Sequence, residues 1–236
     1  MNKYFLKIVR VFREAFGMYK KVYFNDFTRV DPVSSVFGCD RGTPIDRYYI
    51  ENFLDENRHF IKGRIIEIAE DRYSRLFANH DAQEKPIFDT LHYDGTEGET
   101  TIIGDLSVPS TLPENRYDCF ICTQTYNFIF DVRKSIEGTY TLLKKGGVVL
   151  ATVSGISQIS RHDMDRWGDF WRFTDKSMTM LFEQAGFSKI EVVTMGNSLA
   201  STALLQGIAV EDLPNKELLD IVDKDYQMTI GIKAVK

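Results

Sequence analysis

GRIIEIAEDRYS, residues 63–74, decides the reading of this chain. Ile65, Ile66 and Ile68 make a short apolar run, and Glu67, Glu70 and Asp71 crowd its end. A short apolar run closed by a polar turn suits the first strand of a parallel α/β sheet, which is buried on both faces. Ligands of such sheets lie just beyond the carboxyl ends of the strands, where the chain direction switches. A carboxylate there can accept hydrogen bonds from a cationic amine or a ribose hydroxyl. The expectation is a nucleoside-containing cofactor at this turn. Glycines are expected in such a turn, and Ala69, Asp71 and Tyr73 stand there instead.

Downstream, strands and helices alternate. Residues 86–94, PIFDTLHYD, read as a second strand ending near His92, and residues 95–99 as a polar loop. Residues 100–106 read as a third strand with Asp105 at its carboxyl end. Residues 117–123, YDCFICT, are a fourth strand that leaves through Gln124 and Thr125. A helix follows over 131–143, capped by Asp131, with Ile136, Tyr140 and Leu143 facing inward. Lys144-Lys145-Gly146-Gly147 reads as its stop, cations on the helix dipole and then glycine. A fifth strand (148–153), a helix over 174–185 capped by Thr174, a sixth strand (189–195) and a helix over 198–208 come next. Residues 226–235 alternate as a last strand, expected antiparallel at the sheet's edge. This order predicts a doubly wound, mostly parallel seven-stranded α/β sheet, Rossmann-like, over residues 59–236, with an N-terminal helical extension and flap over 1–58.

Upstream, residues 3–24 have apolar residues at helical spacing and six cations against Glu14. Two readings stay open: a helix packed on the domain or on a partner subunit, or a basic amphipathic helix on an anionic membrane face. In residues 36–54, Gly42-Thr43-Pro44 predicts a helix start with Thr43 as cap and Pro44 at the first helical position. That helix covers the core, or acts as a flap that brings Arg41 or Tyr48 to the ligand.

Residues 154–173, SGISQISRHDMDRWGDFWRF, hold His162, three aspartates, three arginines and both tryptophans. The stretch follows a strand's carboxyl end. Long polar-aromatic loops there are commonly functional; the expectation is a cover over the substrate, with packing onto the N-terminal helices as the alternative.

The 236 residues suffice for one large α/β domain. A net charge of −5 argues against general nucleic-acid binding. Cys119 and Cys122 form a CxxC inside a strand, where residues three apart face opposite ways. Core thiols, not a metal site, are expected, and no metal is assigned. No run approaches a membrane span, and Lys7, Arg10 and Arg13 interrupt any signal-like segment. A cytoplasmic setting is the expectation, membrane-associated if residues 3–24 bind lipid.

Together the segments resemble the class I S-adenosylmethionine-dependent methyltransferases, best over about residues 60–190. RIIEIAE (64–70) resembles the family's first motif, and TLHYD (90–94) its second-strand end. Residues 101–136 are similar to the "GD…LP…FD" passage of the small-molecule, type 11-like branch. LLKKGGVVLATVSG (142–155) resembles its "LLKPGG" segment, and DFWRFTDKSMTMLFEQAGF (169–187) its "DYWRFT…LL…AGF" segment. Residues 39–51 and 163–173 further resemble methyltransferase-like proteins encoded near polysaccharide-assembly enzymes.

The resemblance implies S-adenosylmethionine as cofactor. Glu67, with Ala69 and Asp71 of the turn, matches the side of the cofactor's amino-acid end. His92 and Asp94 fall at the ribose, Asp105 at the adenine amino group, and Leu106 beside the ring. Thr123 and Gln124 match the border of the methionine part. The implied reaction is methyl transfer to a small-molecule or glycan hydroxyl, an O-methyltransferase of polysaccharide biosynthesis. The nucleophile must be aligned with the methyl carbon and helped by a general base. The reference pKa of a histidine side chain favours His162, with Asp163 and Asp165 behind it. Trp167, Trp171 and Phe173 would stack on the apolar face of a sugar, Arg161, Arg166 or Arg172 would pair with a phosphate or carboxylate, and Arg41 or Tyr48 would reach the acceptor from the flap. The rival reading is a methyltransferase-like partner of glycan-assembly enzymes without catalysis. A nicotinamide oxidoreductase would need GxGxxG after the first strand, which is absent.

Overall fold

The computed structural model describes residues 30–79, 85–94 and 101–236. The helix expected over 3–24 and the loop over 95–99 lie outside them. One compact unit runs from Val33 to Lys236 and takes in the helix over Ile45–Glu56.

Seven strands form one sheet: β1 (Arg64–Ile68), β2 (Ile87–His92), β3 (Ile102–Ile103), β4 (Tyr117–Thr123), β5 (Leu143–Ser154), β6 (Ser188–Met195) and β7 (Thr229–Val235). Their order is 3-2-1-4-5-7-6. β1 to β5 pair in parallel, and β7 runs antiparallel between β5 and β6. The doubly wound, mostly parallel sheet expected from the alternation is the observed one.

Helices cover both faces. α1 (Ile45–Glu56) and α2 (Arg72–Phe77) lie on one side, where Ile50, Phe53, Leu54, Tyr73 and Phe77 pack with Ile65, Cys119, Ile121 and Leu150. α3 (Val132–Leu142) and α5 (Asp175–Gln184) lie on the other; Ile136, Leu142, Met178 and Phe182 pack with Ile66, Phe120, Cys122 and Val149. Each large apolar side chain so buried contributes roughly 1.5–3 kcal/mol. Cys119 and Cys122 fall in different clusters, on opposite faces as their spacing requires. Burial pushes the Cys122 thiol up to about 12. α4 (Arg161–Met164) is a single turn, and α6 (Ser198–Gln206) packs beside α1 through Ala200, Ala203 and Leu204. No helix among the described residues is long and apolar enough to cross a membrane.

Four local expectations change. β7 is internal: Ile230, Ile232 and Ala234 are fully buried on one face. On the other face a Cβ at Gly231 would stand 2.7 Å from Phe53. The alternation that suggests a wet face instead marks small residues beneath α1, and the half-exposed β6 is the edge. The third strand is only two residues long. The Lys-Lys-Gly-Gly run does not stop α3. It begins β5, where the register shifts opposite Tyr117 and Cys119 and Lys144 Nζ meets Asp118 at 2.8 Å. At α1, Pro44 occupies the cap position rather than the first helical one. Thr43 does not cap the helix; its N–H and hydroxyl both donate to Glu211 at 2.7 Å. The Asp131 and Thr174 caps form as expected.

Candidate functional site

Glu67 ends the buried part of β1 and turns inward, 4% exposed. Its carboxylate accepts from the Tyr73 N–H (3.2 Å), the Ser74 N–H (2.7 Å) and the Ser74 hydroxyl (2.6 Å). These are donors at the start of α2 that the helix itself cannot satisfy. Burial pushes the carboxyl up to about 6, against those hydrogen bonds. Ala69 then takes φ +63°, the left-handed conformation that a glycine would take without steric cost. Its N–H donates to the Leu91 carbonyl at 3.0 Å, which ties the turn to β2. The glycine-poor turn therefore keeps a glycine-like shape at this position. Asp71 pairs with Arg75 of its own helix at 2.6 Å.

At the end of β2, His92 is buried, with Nδ1 2.7 Å from Asp94. Trp167 packs edge-on against the rings of His92 (6.0 Å) and Tyr93 (5.6 Å). Asp105 accepts from the Ser107 N–H (2.8 Å) and hydroxyl (2.7 Å). Leu106 is not open to flank a ring; it is buried in the core, its carbonyl against Gly138 of α3.

A cavity of about 290 Å3 opens beyond the carboxyl ends of β4 and β5. The β4 exit supplies Thr123 and Gln124, α1 supplies Asp46 and Arg47, and Tyr73 comes from α2. Asp163, Asp169 and Arg172 come from the 154–173 stretch, with Ser157, Gln158 and Ser160. Gln124 sits at φ +50°. Its Oε1 accepts from the Ser154 hydroxyl at 2.7 Å, and its buried Nε2 has no partner. Gln158 Oε1 is likewise buried and unpartnered. A larger hollow of about 490 Å3 lies at the opposite, amino ends of the strands, around Gly63, Arg64 and Lys144. Of its four cations (Arg64, Lys85, Arg116 and Lys144), Arg64 and Lys144 are held by Asp89 and Asp118.

The 154–173 stretch is pinned to the sheet. Phe170 N–H donates to the Asn127 carbonyl at 2.9 Å, and Trp171 Nε1 reaches the Ile129 and Phe130 carbonyls at 3.2 Å. Arg172 pairs with Asp169 and also donates to the Ser157 and Gln158 carbonyls. Burial would raise the Asp169 carboxyl, but the bonds from Arg172 and the Ser160 N–H outweigh it and hold it low.

The residues singled out from sequence thus divide. Thr123, Gln124, Asp163 and Arg172 line the cavity. His162 does not: it is 67% exposed, 3.5 Å from Asp163. Asp165 also points outward, toward Arg161 at 3.6 Å. Asp163 accepts from Ser160 Oγ and from Trp167 Nε1 (3.3 Å). Arg41 is consumed by a two-pronged pair with Asp212 at 2.7 and 2.9 Å, and Tyr48 donates to Asp220. Arg166 folds back on the His162 carbonyl. Trp171 lies beside Phe130, rings 6.1 Å apart, away from the cavity. Sequence reading missed Asp46, Arg47 and Tyr73 as lining residues. The signal was the helical period: Asp46 and Arg47 flank the buried stripe of Ile45, Tyr49 and Ile50.

Solved structures share this architecture. A S-adenosylmethionine-dependent methyltransferase of Archaeoglobus fulgidus is 11% identical, over 80% of this chain and 94% of that one, with TM-score 0.50. One of Mesorhizobium loti is 15% identical over 81% and 98%, with TM-score 0.51. Haemonchus contortus phosphoethanolamine N-methyltransferase 2, in complex with S-adenosyl-L-methionine, is 16% identical over 92% of this chain, TM-score 0.54. This chain spans 60% of its length. The fold is that of the S-adenosylmethionine-dependent methyltransferases. No family model and no curated protein matches the chain.

Proposed function

We propose that this protein is a S-adenosylmethionine-dependent methyltransferase that acts on a hydroxyl of a small-molecule or glycan acceptor. The observation that carries the reading is the cavity at the β4 and β5 exits, beside a β1 turn held in a glycine-like conformation by Ala69. Gln124 lines that cavity, and its buried Nε2 has no partner within the described residues. Asp94 and Asp105 would hold the cofactor's ribose and adenine ends, and Thr123 and Gln124 its methionine end. When bound, the cofactor supplies an electrophilic methyl group on a sulfonium. The protein then aligns the acceptor oxygen, excludes water and takes its proton.

Of the three groups expected to take that proton, Asp163 lines the cavity and is assigned the role. The hydroxyls and amides around it (Ser157, Ser160, Gln158) suit a polyhydroxyl acceptor better than an apolar one. A setting in polysaccharide biosynthesis rests on the resemblance of residues 39–51 and 163–173. One observation favours the non-catalytic alternative: Trp167 packs over His92 and Tyr93, at the strand end where the ribose would lie.

Transfer of a labelled methyl group from S-adenosylmethionine to a panel of nucleoside-diphosphate sugars tests the reading. Labelled product from the native protein, lost in Asp163→Asn while S-adenosylhomocysteine still binds, is the expected result. Cofactor binding with no transfer to any hydroxyl acceptor would favour the partner role.

A further inference from the structure

The proposed methyl transfer leaves unused the hollow at the amino ends of the strands, which is larger than the cavity beyond β4 and β5. Its walls gather Arg64, Lys85, Arg116 and Lys144 against two carboxylates, Glu114 and Asp118. The chain as a whole carries a net charge of −5, so this excess of cations is local.

Two of the cations are spent. Arg64 Nε donates to the buried Asp89 at 2.7 Å, and Lys144 Nζ donates to both oxygens of Asp118 at 2.8 Å. Asp118 also accepts from the Arg64 N–H at 2.8 Å. Gly63 beside it has φ +69°, and a Cβ there would stand 2.6 Å from Asp118 Oδ2. The floor of the hollow is thus tightly held. Glu114 is exposed at the edge, and its charge acts on Lys236.

The other two cations are not spent. Among the described residues neither Lys85 nor Arg116 has a carboxylate partner. Arg116 is half-buried, and its guanidinium lies over the Tyr117 ring, Cζ 6.0 Å from the centroid. A guanidinium held in this way and left without an oxyanion forgoes its strongest interaction. Lys85 precedes β2 and Arg116 precedes β4, with β1 between those strands. Neighbouring strands lie about 4.8 Å apart, so the backbones of the two residues are separated by roughly 10 Å. One phosphate suits one of these anchors; two linked phosphates engage both. A cleft walled by an excess of one sign focuses its field on such a ligand.

We propose that the hollow at the amino ends of β1, β2 and β4 binds a diphosphate or longer polyphosphate group, with Arg116 and Lys85 as its anchors. It lies at the opposite ends of the strands from the cofactor rim, so the inference does not rest on the cofactor reading. A nucleoside diphosphate and an inorganic chain both carry such a group, and the test separates them.

Inorganic phosphate, pyrophosphate, UDP and a tetraglutamate peptide are titrated calorimetrically at low ionic strength into native, Arg116→Ala, Lys85→Ala and Lys145→Ala proteins. Lys145 is exposed and outside the hollow, so its variant reads general charge attraction. Lys85 is exposed, so its variant removes an anchor without touching the core. Melting temperatures check that each variant folds. Pyrophosphate and UDP should bind one-to-one and more tightly than phosphate. Arg116→Ala should weaken both about tenfold and Lys85→Ala about threefold, as charged contacts of a half-buried and an exposed group imply. Lys145→Ala should leave both unchanged. UDP tighter than pyrophosphate would assign the group to a nucleotide; UDP no tighter would assign it to an inorganic chain. No heat from either at millimolar ligand, losses shared by Lys145→Ala, or tetraglutamate as tight as pyrophosphate would overturn the site.

Discussion

Ala69 holds φ +63° at the turn after β1, where a Cβ costs roughly 1–2 kcal/mol. Ala69→Gly should relieve that strain and, after the added freedom of the unfolded chain, stabilise the protein by ~0.5–1 kcal/mol. A shifted denaturant midpoint with an unchanged slope would show it. Two residues earlier, Glu67 has its carboxyl raised from 4.5 to about 6 by burial. The folded state therefore holds this proton more tightly than the unfolded one. The group's contribution to stability is greatest below pH 4.5 and falls as pH rises through 6, by about 2 kcal/mol in all. Glu67→Gln should flatten that part of a melting temperature–pH profile; a profile that keeps its slope would locate the titration elsewhere. At this scale the sequence was legible in kind rather than in direction. An acid at the end of β1 is evident from RIIEIAE, but its turn toward the α2 amide groups depends on Ser74, which carries no motif. Arg41 and Arg47 are both plausible anion holders by type. Only the fold shows that Asp212, 171 residues away, occupies the first and leaves the second facing the cavity.

Among the elements, the central strands were readable because their apolar runs admit one environment: Tyr117, Cys119, Phe120, Ile121 and Cys122 are all fully buried in β4. The terminal strand misled because alternation of small with large residues imitates alternation of wet with dry. Gly231 and Lys233 face Phe53 and Glu191, not open water. Close approach also governs α3. A Cβ at Gly138 would stand 2.1 Å from the Leu106 carbonyl oxygen, a backbone atom that cannot rotate aside. Alanine would improve helix propensity by about 1 kcal/mol, yet Gly138→Ala should destabilise the protein by about 1–3 kcal/mol through this overlap. A rise in melting temperature would show that α3 sits further from the 105–112 segment than described. The same contact holds Asp105 and Leu106 at the end of β3, so the variant should also loosen any ligand grip there.

At the scale of the described residues, the sheet order and the helices on both faces bring the carboxyl ends of β1, β4 and β5 together at one rim. On that rim lie the Ala69 turn, the Gln124 exit and the stretch from 154 to 173, separated in sequence and assembled by parallel pairing. The fold was legible because periodicity is repeated in every element. The site was legible only in part, because four of its expected residues line the cavity and its two α1 charges are visible only once the helix has docked. Calorimetric titration of S-adenosylhomocysteine into the purified protein, beside an Asp105→Ala variant, asks whether this rim holds the cofactor. Saturable one-to-one binding, weakened by Asp105→Ala, is expected, with stabilisation of about 2.7 kcal/mol at a hundredfold excess over Kd. No heat and an unchanged melting temperature at millimolar ligand would contradict it.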